Sequence, residues 1–110
     1  MININKYSLY INDLENNKYF LKNPIKVDIY QYFNISKNFM ASISDFNINS
    51  IGNSENIVIK NIKKMIIELY EFIILNNIYN RNISYVITNM TSNEFLRLKF
   101  MLNGYIMERR

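Results

Sequence analysis

The chain has no cysteine, no histidine and no tryptophan, with one proline and two glycines among its 110 residues. Without cysteine there is no disulfide framework, no thiolate metal site and no thiol nucleophile. Without histidine the commonest general base and the commonest metal ligand are both missing. A Ser-His-Asp triad and a His-ligated metal centre are therefore excluded, and no metal site is expected. Apolar runs are interrupted by Lys, Glu or Asn well short of the roughly 20 residues that a membrane-spanning helix needs. The opening stretch MININKYSLY has no apolar core segment and no small-residue cleavage site, so no signal peptide is expected. These absences lead to the expectation of a soluble, cytoplasmic (intracellular) protein with no membrane attachment.

Hydrophobic residues make up 49% of the chain and charged residues 20%. That balance fits one folded domain over residues 1–110 and does not fit a disordered tail. Asn and Ile each occur about 20 times. Both have AT-rich codons, and the Asn residues are scattered among apolar ones with no tract, so base composition accounts for them better than a prion-like reading. The net charge is +4, with short basic clusters at Lys60, Lys63 and Lys64 and at Arg109 and Arg110. So mild and dispersed a charge does not point to nucleic acid as a partner.

Hydrophobic periodicity sets the expected elements. Tyr7, Leu9 and Ile11 alternate with Ser8, Tyr10 and Asn12, the turn formers NDLENN follow, and KYFLK returns before Asn23-Pro24. That pattern predicts an N-terminal β-hairpin in residues 1–24. Ile25, Val27 and Ile29 predict a third strand through about Phe33, with NISKN as the next turn. A fourth strand is expected from Phe39 to about Ile48. Its apolar parity slips, since Phe39, Ala41 and Ile43 share one face and Phe46 and Ile48 take the other. Either a β-bulge near Ser44, Asp45 or Phe46 absorbs the slip, or Met40 and Phe46 pack on a second covered face.

NSIGNSEN then reads as a loop, in which Asn53 or Ser54 can cap a helix over about Asn56 to Asn76. Ile59, Ile62, Ile66, Leu69 and Ile73 recur at spacings of three and four, as a helix lying across a sheet requires. ISYVITN predicts a strand. Thr91 or Ser92 caps a second helix with Glu94 in its first turn and a stripe of Phe95, Leu98, Met101 and Leu102. Asn103-Gly104 is expected to end that helix in a left-handed cap, and Tyr105 to Met107 to begin a last strand. The expected fold is α+β in the order β-β-β-β-α-β-α-β. Its sheet is mixed and mainly antiparallel, one central helix packs on it, and the strands on either side of that helix run parallel.

That order, together with Asn93 opening a helix that reaches Gly104-Tyr105, resembles the GNAT family of N-acetyltransferases over about residues 25–110. ISYVITN resembles the family's fifth strand and the helix from Asn56 its central helix. The resemblance implies a cofactor loop before that helix, where backbone N–H groups of Asn53, Ser54, Glu55, Asn56 and Ile57 would cradle the acetyl-CoA pyrophosphate, with Lys60 nearby and Asn93 as a further cofactor contact. Asp45 is the candidate catalytic base. The chain departs from the family at three points. The loop SIGNSENIVIK holds Gly52 alone, and Ser54, Asn56 and Ile57 crowd the approach. Phe100 stands where many members place a general-acid Tyr. Only a hairpin takes the place of the usual first strand and two helices.

Two function classes follow. One is a non-catalytic GNAT-like interaction module with no cofactor, possessing the size and codon bias of a phage or mobile-element product. It would bind a host or viral protein, or a second copy of itself, through the apolar and Tyr positions of the hairpin. The other is an acetyl-CoA-dependent N-acyltransferase with an atypical loop. There, positioning and strand-four N–H groups would polarise the thioester without a special side chain. The first is preferred, because the degenerate loop weighs more than the missing Tyr.

Overall fold

A computed structural model describes residues 3–33, 38–75 and 90–109. The expected strand at 83–89, and with it the parallel pairing across the central helix, lies outside the described residues, as does most of the NISKN turn.

Among the described residues the fold is α+β, with a mainly antiparallel four-stranded sheet and two helices. The strands are β1 (Ile4–Ile11), β2 (Tyr19–Leu21), β3 (Ile25–Tyr32), β4 (Phe39–Ile43), β5 (Ile48–Gly52) and β6 (Ile106–Glu108). The helices are α1 (Glu55–Ile73) and α2 (Ser92–Tyr105). The main sheet has the order β1-β3-β4-β5, and β2 pairs with β6 in a separate two-stranded ribbon.

This pairing corrects the N-terminal hairpin. β1 and β2 do not pair, because β1 matches β3 along its whole length. Tyr7 lies opposite Ile29, Leu9 opposite Val27 and Ile11 opposite Ile25, so both apolar alternations fall on one face. The three residues of β2 offer no such match. The intervening segment is instead pinned locally. Asp13 Oδ1 accepts the Glu15 N–H, Asn16 Oδ1 accepts the N–H groups of Lys18 and Tyr19, and Leu14 is buried. Glu15 takes a left-handed φ of 51° in this loop.

The long fourth strand is also corrected. The parity slip is neither a bulge nor a second covered face but a hairpin. A 3₁₀ turn, Ser44–Phe46, reverses the chain, Asn47 adopts φ 55°, and β5 returns antiparallel on β4. Asn tolerates that left-handed conformation better than most residues. Phe46 turns into the core at the reversal, which is why its parity changes. The first half of NSIGNSEN is accordingly strand, with Gly52 closing β5, and its last two residues already belong to α1.

The helices follow their local signals. Ser54 caps α1 by accepting the Ile57 N–H at 3.2 Å, and Thr91 and Glu94 form a reciprocal capping box on α2. Val58, Ile62, Ile66, Leu69 and Ile73 line the buried side of α1, and Leu98 and Leu102 that of α2. These side chains meet Val27, Ile29, Ala41, Ile43 and Ile48 from the inner sheet face in one core. Gly104 does not form a left-handed cap: no glycine has positive φ, and α2 continues through it to Tyr105. The helix ends because Ile106 is extended and pairs with Leu21 of β2. Tyr105 packs edge-on against Phe46, which fixes this end of α2 to the β4–β5 turn.

Candidate functional site

The residues expected to hold a cofactor gather at the start of α1, where Gly52 ends β5. A Cβ built on Gly52 would lie 2.9 Å from Ile57 Cγ2 and 3.2 Å from Val58 Cγ1. Glycine is needed here because the first turn of α1 sits directly on the strand. Ile57 thus stands where a phosphate would need open backbone. Its own N–H is engaged by Ser54 Oγ, and the Val58 N–H by the Ser54 carbonyl. Glu55 accepts the Tyr7 hydroxyl at 2.5 Å, holding a carboxylate at the positive end of the helix dipole. A pyrophosphate would meet a like charge at that point.

Glu55, Asn56 and Lys60 do line a groove of about 550 Å³ against the end of β1 and the following loop. Lys63 borders the same groove and bridges Asp13 and Glu15 at 3.4 and 3.8 Å. Asn53, Ser54 and Ile57 are not part of its lining. Asn93 sits exposed in the first turn of α2, apart from these residues.

Asp45 belongs to a different cleft, of about 280 Å³, between the 3₁₀ turn and α2. Ser44, Asn47, Met90, Glu94, Arg97 and Leu98 complete it. Asp45 Oδ1 lies 3.6 Å from Arg97 Nη2, and both side chains are exposed. An ion pair in solvent contributes little, about 0–1 kcal/mol. Glu94 is occupied by the capping box. Phe100 points to solvent.

A surface that the sequence reading left unused is the outer face of the main sheet. Lys6, Tyr30, Met40 and Ile51 form a row across all four strands, with Ile4 opposite Tyr32 and Tyr10 opposite Lys26 beside it. Lys6 Nζ stands 5.3 Å from the centre of the Tyr30 ring, and Ser8 donates to Asp28 at 2.7 Å. The signal was present in the sequence: Tyr30 fills the position of β3 that alternation assigns to solvent.

Among the described residues no helix is long and apolar enough to cross a membrane. No protein-family model matches the chain, and neither the curated proteins nor the solved structures give a match.

Proposed function

We propose that this chain is a non-catalytic, GNAT-like interaction module that binds a protein partner through the outer face of its sheet. The observation that carries this reading is the continuous row Lys6–Tyr30–Met40–Ile51, extended by Ile4, Tyr10 and Tyr32, on a face with no helix packed on it among the described residues. Tyr and Met are enriched where protein interfaces are buried, and grouped exposed apolar side chains mark such sites more than isolated ones do. The contact surface is then the four-stranded face and not the N-terminal segment alone. For a product of a phage or mobile element, the partner is a host or viral protein.

The GNAT-like part of the reading draws support from the order of elements. Antiparallel strands lead through Gly52 into a capped central helix, and a second helix, Ser92–Tyr105, holds Asn93 in its first turn and Gly104-Tyr105 in its last. The test is affinity capture from source cells with the wild-type chain and with Tyr30→Glu and Ile51→Glu variants. A partner retained by the wild type and lost from both variants, with unchanged melting, is expected. Equal retention by the variants would remove the sheet face as the binding surface.

One observation favours the second reading, an acetyl-CoA-dependent N-acyltransferase. The groove beside Asn56 offers Lys60 to an anion, with Asp13, Glu15 and Glu55 sharing its lining and Lys63 paired to the first two. Calorimetry with acetyl-CoA separates the two.

A further inference from the structure

We infer that the outer edge of β1 takes an extended, uncharged peptide segment of a partner, which adds to the sheet as a strand in the groove between β1 and α1. The ladder fixes which way the β1 backbone points. The Phe33 N–H donates to the Asn3 carbonyl at 3.2 Å, and the Tyr32 N–H to the Asn38 carbonyl at 2.7 Å. Odd residues along β3 therefore bond to β1 and even ones to β4, and in the observed register the odd residues of β1 are the ones engaged. Bonding direction alternates along an antiparallel strand, so Lys6, Ser8 and Tyr10 turn their N–H and C=O groups to the opposite edge. Among the described residues no strand pairs with that edge. Such a row of backbone groups is a template for another extended chain.

The side chains are incomplete at the same place. Leu9 and Val27 are cross-strand partners on the inner face, yet Val27 is fully buried and Leu9 only half. The helix α1 packs chiefly on β4 and β5, and its half-buried Ile59 forms the far wall of the groove from Leu9. A strand added to β1 places every second side chain on the inner face, between Leu9 and Ile59, where an apolar group covers both. The charges of the groove are matched internally. Lys63 bridges Asp13 and Glu15, and Glu55 accepts the Tyr7 hydroxyl. Three carboxylates against Lys60 and Lys63 leave no net pull on an anion. What the groove offers is backbone and apolar surface, the combination that strand addition uses for affinity and for specificity. It follows β1 from Leu9 to Asn12, about 13 Å of strand, which suits a segment of about four or five residues better than the eight-residue β1 of a second copy. The inference does not rest on the outer face of the sheet as a binding surface, and its failure would leave that reading untouched.

The test is a titration of the nitrogen-15-labelled full chain with a blocked pentapeptide, Ser-Val-Thr-Val-Ser, to millimolar concentration. Saturable amide shifts and slowed hydrogen exchange at Ser8 and Tyr10 are expected. N-methylation of the peptide's threonine, which would lie opposite Tyr10, should weaken binding about tenfold or more, and so should aspartate in place of both valines. Tyr10→Pro removes the outward donor and leaves the ladder to β3 intact, since proline is accepted where an edge N–H faces solvent. It should weaken binding by a similar factor with the melting midpoint kept; should it unfold the chain, the N-methylated peptide still decides. No shift at millimolar peptide, equal binding of the N-methylated peptide, or shifts confined to Tyr30, Met40 and Ile51 would overturn the inference. So would sedimentation of the chain as a dimer that Tyr10→Pro dissociates, which would assign the edge to a second copy.

Discussion

Gly52 and Gly104 are the only glycines, and their surroundings predict opposite responses to alanine. At Gly52 the new methyl would collide with Ile57 and Val58, so Gly52→Ala should destabilise the fold by about 1–3 kcal/mol. At Gly104 the space is open and the backbone helical, so Gly104→Ala should stabilise it by about 0.5–1 kcal/mol. Thermal or urea melting of the two variants measures both signs. The buried tyrosines make a second residue-scale prediction. Burial first, and then the Glu55 carboxylate that accepts its hydroxyl, push Tyr7 up from the ordinary 10 to about 12. Tyr19 is raised in the same way, by burial and by its bond to Glu71 at 3.0 Å, and Tyr70 chiefly by burial. A phenol with a raised folded pKa stays neutral in the fold where the unfolded chain already ionises. Its stabilisation is whole below pH 10 and is lost as pH rises toward 12. Stability should therefore fall across that window, and Tyr7→Phe should make the fall shallower; an unchanged slope would mean that the Tyr7–Glu55 contact does not matter for folding.

At the scale of elements, the two helices differ in what holds them. The buried stripe of α1 makes Ile66→Ala costly, about 2–5 kcal/mol, whereas Lys64→Ala on its wet side should stay within about 0.5 kcal/mol. Equal costs would mean that the helix is rotated from the orientation described. In α2 the capping box makes Thr91→Ala cost about 1 kcal/mol. These features were legible in the sequence because each is local: a spacing of three and four, and a Ser or Thr ahead of it. The pairing of strands was not local. β1 turned to β3 because their apolar alternations match over eight residues, and β2 waited for β6 at the far end of the chain. The slip at Ser44–Phe46 was visible, but a bulge and a tight reversal both change parity, and nothing in the flanking residues chose between them. The left-handed cap at Gly104 failed for the same reason, since Asn-Gly marks a helix end only when the following residue does not stay helical. At the site, Asp45 and the α1 loop were readable as residues. That Glu55 would be held by Tyr7, and Asp45 drawn to Arg97, depended on contacts between distant parts of the chain.

For the whole molecule, the question is whether the scaffold binds acetyl-CoA. The expected outcome is no thermal shift with millimolar acetyl-CoA and no acetyl transfer to amines. A site filled at a hundred times its dissociation constant would add about 2.7 kcal/mol, a shift of several degrees for a domain of this size. Such a shift is easily seen, so its absence is informative. The expectation rests on three placements: Ile57 lies against Gly52, the Glu55 carboxylate is fixed at the helix N-terminus by Tyr7, and Phe100 faces solvent without a proton to give. Replacing Ile57 with Gly separates crowding from charge. It would open the approach to Gly52 but remove packing and helix propensity, so the fold should weaken and, with Glu55 still in place, no binding should appear. If the wild-type chain does shift, Lys60 is the cation open to the ligand in that groove. Lys60→Ala should then reduce the shift more at low salt than at high salt, because an exposed charge is screened within about 8–10 Å. A micromolar dissociation constant by calorimetry, abolished by Lys60→Ala, would put the acyltransferase reading first.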